Sequence, residues 1–153
     1  LAEITQSKVL ALVLAEGHLD ARPGEFSGQI VNYSETDFTE NGYQNLITRS
    51  KVSGNGNWAA GLKNTLPQAL HREASSLVYG DSTDWRTLFY QRKEPTFYFF
   101  GEHSLPNSDQ HSLTEAGVAV SVVKGCGHSM AWEQPENLAI CLASAMADID
   151  RIN

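Results

Sequence analysis

Among the residues able to do chemistry, His128 has the most telling position. It ends the string Gly-Cys-Gly-His, just after the apolar run 118–124, VAVSVVK, whose density of branched side chains predicts a buried strand. Glycines there let the backbone turn sharply and leave an imidazole at the carboxyl edge of a sheet, where open α/β sheets gather their ligands. An imidazole at such an edge can act as a general base. Glu16, His18, Asp20, His103 and His128 form a second possible constellation, since imidazole and carboxylate together suit zinc or a similar ion. Their spacings are not diagnostic, and neither a metal nor a cofactor is expected.

The elements that must position these residues read as strand, helix, strand, helix. Residues 8–15, KVLALVLA, lack alternation and predict a parallel strand covered on both faces. Residues 96–101, TFYFFG, are aromatic and stop at a glycine, which predicts a second strand. Residues 118–124 make the third. A helix is expected over 107–116, and an amphipathic one closes the chain over 135–152 with Leu138, Leu142 and Met146 on one side. This alternation is the grammar of a parallel sheet.

From 21 to 93 the character changes to an inserted, mostly helical segment. Ser34 followed by Asp37 signals an N-cap ahead of Phe38, Tyr43, Leu46 and Ile47, predicting a helix over 35–49. A turn follows at 53–57, then a helical stretch over 58–79 broken or bent at Pro67, then a short helix from about Ser82.

The 153 residues carry a net charge of -7, with a pI near 5.1, and no basic stripe to follow a phosphate backbone, so nucleic acid is not an expected partner. The longest apolar run, Val9 to Ala15, is seven residues, far below the roughly twenty that span a bilayer. Cys126 and Cys141 make no disulfide framework or zinc pattern and read as free thiols, which fits a soluble, cytoplasmic setting. The chain opens on Leu, so truncation or processing is expected.

Three segments resemble parts of the α/β-hydrolase family in the family's own order. GHSMAWEQPENLA, from Gly127, resembles its catalytic-histidine turn; PTFYFFGEHSLP, from Pro95, resembles its penultimate strand and loop; KVLALVLAEGHLD, from Lys8, resembles the strand after the nucleophile helix, with a cap inserted behind it. The resemblance implies a partial α/β-hydrolase fold of parallel strands, flanking helices and a helical cap. It divides the chain into a core strand and edge loop at 1–20, the cap at 21–93, and the carboxyl-terminal part of the core at 94–153. It also implies cleavage of an ester or related acyl bond by a nucleophile, a histidine and an acid.

His128 takes the histidine role. The position where the family usually places its aspartate is Ser104, but a variant found in some haloalkane dehalogenases and esterases puts the acid at the end of the earlier strand, which is Glu16 here. Asp20, Glu102 and Asp109 are the other candidates. The acid must hold the histidine in one tautomer and stabilise its imidazolium, so it needs a place near the sheet edge rather than a particular strand.

No nucleophile elbow precedes the histidine turn; it is expected some twenty to thirty residues before Leu1. Whether it is Ser or, as in a haloalkane dehalogenase, Asp is open. Gly127 to Ala131 superficially copies an elbow, with Ser129 as nucleophile, but no histidine follows it. Trp132, Trp58 and Trp85 are pocket candidates, while His71 and His111 are read as solvent-facing. Two partners are considered for the strand at 9–15: the missing amino-terminal half, or a second copy. The alternative to an enzyme is a noncatalytic fragment or interaction module, inactive alone.

Overall fold

A computed structural model describes residues 9–80 and 84–152. The chain is mixed α/β and divides into two compact units, 20–83 and the remainder. The strands are β1 (Leu12–Ala15), β2 (Thr96–Gly101) and β3 (Ala119–Val123). The helices are α1 (Ser27–Ile30), α2 (Glu35–Asp37), α3 (Tyr43–Val52), α4 (Gly56–Leu62), α5 (Pro67–Tyr79), α6 (Trp85–Tyr90), α7 (Asp109–Glu115), α8 (Met130–Glu133) and α9 (Pro135–Ile152).

The three strands form one parallel sheet in the order β1-β2-β3. Alternation along β2 explains its unbroken aromatic run. Phe97 and Phe99 face one core with Val123, Met130 and Ala145, while Tyr98 and Phe100 face another with Phe89 and Leu113. Helices cover both faces, so neither can be polar. The hydrogen-bonded part of β1 is shorter than the apolar run at 8–15. Its first rung is the Leu12 amide on the Pro95 carbonyl, 3.0 Å, and β2 begins at Thr96, the partner of Leu12, so residues 9–11 lie ahead of the pairing with β2. Lys8 lies outside the described residues.

Helix α9 buries a different row from the one its sequence was expected to use. Leu138, Cys141, Ala145 and Ile149 pack toward the sheet, whereas Leu142 and Met146 are exposed. A strict four-residue spacing drifts about 40° per step around a helix of 3.6 residues per turn, so the row at 138, 142 and 146 winds off the core. Spacings of three, four and four stay on it.

The unit at 20–83 has its own core of Ile30, Phe38, Leu46, Ile47, Ala59, Leu62 and Ala74. Ser34 caps α2 by accepting the Asp37 amide, 3.1 Å. The chain then passes through a five-residue π-turn, Phe38–Gly42, before continuing as α3. Gly42 permits this turn: a Cβ there would lie 2.8 Å from the Phe38 ring. Pro67 starts α5 as its first residue, a position where its missing amide costs nothing, so the stretch at 58–79 is two helices rather than one bent one. Helix α6 groups with the sheet unit rather than with the insert, since Phe89 packs against Tyr98 and Phe100. Its N-cap is Asp84; Ser82, near which this helix was expected to begin, lies outside the described residues.

Candidate functional site

Three chain segments leave the sheet at its carboxyl edge: Glu16 after β1, Gly101 closing β2, and the turn Gly125 to Ser129 after β3. The turn begins with Gly125 at φ 73°, a left-handed backbone that glycine adopts without a Cβ penalty. Gly101 lies so close to the turn that a Cβ would meet the Gly127 carbonyl oxygen at 2.3 Å.

These segments bring Glu16 and His128 together. The His128 Nδ1–H donates to Glu16 Oε2 at 3.0 Å, and Glu16 Oε1 accepts the Gly101 amide at 2.7 Å. An ionised carboxylate only accepts, so the proton of a neutral imidazole sits on Nδ1, leaving Nε2 with its lone pair. The Glu16 side chain is 11% exposed and that of His128 74%, so the carboxylate is held under the imidazole while the ring stays open.

Glu16 is also the one non-glycine residue with positive φ, 48°, among the described residues. That conformation costs about 1 kcal/mol or more for a side chain bearing a Cβ, and persists where surrounding contacts over-determine it. Here the Glu16 amide bonds the Phe99 carbonyl, 3.0 Å, while its carboxylate bonds the end of the same strand at Gly101 and the histidine turn at His128.

The turn carrying His128 is pinned from both flanks. Glu102 Oε2 accepts the Gly125 amide at 2.9 Å and its Oε1 the Lys124 ammonium at 2.8 Å; the Lys124 bond first, then the Gly125 amide, lowers the Glu102 pKa. The His103 amide donates to the Cys126 carbonyl, 2.9 Å. Glu133 accepts the amides of Gly127 and Ser129. Cys126 is buried, which pushes its thiol pKa up, helped by the negative charges of Glu133, Glu16 and Glu102; it is a packed side chain rather than a reactive thiol.

The remaining candidates lie elsewhere or have other work. Asp109 is buried at the start of α7 and pairs with Arg86, 2.8 Å. We expect Asp109→Ala to lower stability by about 2 kcal/mol in urea unfolding, by leaving a half-buried guanidinium poorly matched. Asp20 begins the other unit and is exposed. Trp58 stacks on Phe26 at 3.9 Å, both half-buried against that unit's core, Trp85 is half-buried on α6, and Trp132 is exposed.

His71 is not solvent-facing: its Nε2 bonds the Tyr33 carbonyl at 2.8 Å and its ring lies beside Phe38. His111 is exposed and lies near Glu115 one helical turn on. Ser129 has φ -86° and ψ 43° and serves as the N-cap residue of α8, without the strained backbone of a nucleophile elbow. Among the described residues no three His, Cys, Asp or Glu side chains are grouped to hold a metal ion, and no helix is long and apolar enough to cross a membrane.

Sequence reasoning missed Glu133, although it sits inside the histidine-turn string. Its signal was a carboxylate a helical turn beyond the Gly127–Ser129 segment, a spacing that can reach back to free amides. No protein-family model matches the chain, and no curated protein does.

Proposed function

We propose that this chain supplies the histidine and acid of an α/β-hydrolase-like triad that cleaves an ester or related acyl bond, with the nucleophile outside residues 1–153. The observation that carries this reading is the 3.0 Å contact between His128 Nδ1 and Glu16 Oε2 at the carboxyl edge of a parallel sheet, with the His128 side chain otherwise 74% exposed. In the reaction, Nε2 takes the proton of a serine hydroxyl as its oxygen attacks the acyl carbon, then returns that proton to the leaving alcohol. The same nitrogen next takes a proton from the water that attacks the acyl-enzyme and gives it to the departing serine oxygen, which releases the acid. Were the nucleophile an aspartate, His128 would activate only the water. Glu16 orients the ring and stabilises the imidazolium throughout.

The helical unit at 20–83 is, in this reading, the inserted cap segment of such a hydrolase. The strand partner of β1 is the part of the hydrolase that carries the nucleophile, and the two free thiols, Cys126 and Cys141, support a reducing, cytoplasmic setting.

Fluorophosphonate labelling of the full-length protein, with the labelled residue located by mass spectrometry and turnover followed on a p-nitrophenyl ester, tests this. We expect the label on a serine outside residues 1–153, with His128→Ala cutting turnover by roughly 10⁴-fold or more. An Asp nucleophile would leave the protein unlabelled while turnover still depended on His128. A protein that neither takes the label nor cleaves the ester would make these residues a noncatalytic module.

A further inference from the structure

We propose that Glu133 is a positioning residue for His128, an inference that rests on the Glu16–His128 reading above. Its Oε2 accepts the Gly127 amide at 3.0 Å and its Oε1 the Ser129 amide at 3.2 Å, so one carboxylate grips the backbone on both sides of the histidine. A helix-capping glutamate ordinarily reaches back only to the N-cap amide. Ser129 is the N-cap residue of α8, and Glu133, its fourth helical residue, reaches two residues further, past His128.

The other ties on this turn act lower down. Glu102 bonds Gly125, and His103 bonds the Cys126 carbonyl; both hold the base of the turn against the end of β2. The segment from Gly127 to Ser129 is held by Glu133. Since the imidazole is otherwise largely exposed, its aim at Glu16 depends on where that segment holds its Cα. Displacing a reacting group by about 1 Å can cost a hundredfold in rate, so a clamp on two amides has leverage that its surface position hides.

The test compares Glu133→Ala with Glu133→Gln, in which one oxygen still accepts a single amide. Proton NMR reads the His128 Nδ1–H signal, and kinetics of the full-length protein with its nucleophile read kcat and KM. We expect Glu133→Ala to shift and broaden that signal and to lower kcat by roughly 10–100-fold with KM within about twofold. Glu133→Gln, which keeps one of the two amide bonds, should retain the fold and fall measurably between the alanine variant and wild type in both readouts. If the alanine variant only lowers the melting temperature, leaving the Nδ1–H signal and kcat unchanged, Glu133 merely caps α8 and the inference is overturned. If the alanine variant does not fold, a glutamine variant indistinguishable from wild type in both readouts overturns it equally. A wild-type spectrum lacking the Nδ1–H signal would instead sink the Glu16–His128 reading, and this inference with it.

Discussion

Glu16→Gln should reduce turnover by roughly 10³–10⁴-fold while leaving the fold and KM nearly unchanged, because it reverses the tautomer of His128 rather than removing a contact. The Gly101 amide bonds Glu16 Oε1 and must keep an oxygen partner. In the glutamine variant the side-chain oxygen therefore stays on Gly101, and the NH2 group turns toward His128. An NH2 group donates, so Nδ1 has to accept, and the imidazole proton moves to Nε2. The nitrogen facing open space then has no lone pair with which to take a proton.

Two-bond 1H–15N correlation spectra of the histidines in this chain alone would reveal the tautomer change, and the ester assay would give its kinetic effect. Full activity in Glu16→Gln, with loss in Asp109→Asn, would move the acid role to Asp109.

What the sequence made legible follows the range of the interaction responsible. The strand at 96–101 was readable because both faces of β2 are covered, so six successive residues report one environment. Helix α9 was readable from Pro135 onward because a helix start is a local matter, though which row it buries was decided by the sheet. The Glu16–His128 bond joins residues 112 positions apart, and the Gly101 amide reaches Glu16 across 85. Nothing in the periodicity near either residue encodes such a contact; resemblance pointed to Glu16, and the geometry of three strand ends brings it to His128.

The positive φ of Glu16 was equally unreadable, since the residue type that carries it is not one that favours it. The bond from His71 to Tyr33 was hidden because it joins residues 38 positions apart.

The same substitution at two glycines should have opposite effects, and the contrast tests how the site is assembled. At Gly101 an added Cβ would lie 2.3 Å from the Gly127 oxygen, 2.7 Å from the Gly127 carbonyl carbon and 2.8 Å from the Cys126 oxygen. All three are backbone atoms, so no side-chain rotation relieves the clash. The end of β2 and the histidine turn have to separate, straining the bond from the His103 amide to the Cys126 carbonyl and pulling His128 away from Glu16.

Gly101→Ala should cost about 3 kcal/mol, a fall of roughly 6–12 °C in melting temperature for a chain of this size. Gly61, inside α4, has nothing within 4 Å of its added Cβ. Gly61→Ala should therefore stabilise by about 0.5–1 kcal/mol through helix propensity and the stiffer unfolded chain. Calorimetry on the two variants gives the sign of each effect, and the His128 Nδ1–H signal shows whether the dyad opened. Equal melting temperatures would refute the close approach of Gly101 to the turn. A large fall at Gly101 with the Nδ1–H bond intact would mean that the turn carries His128 to Glu16 without help from that approach.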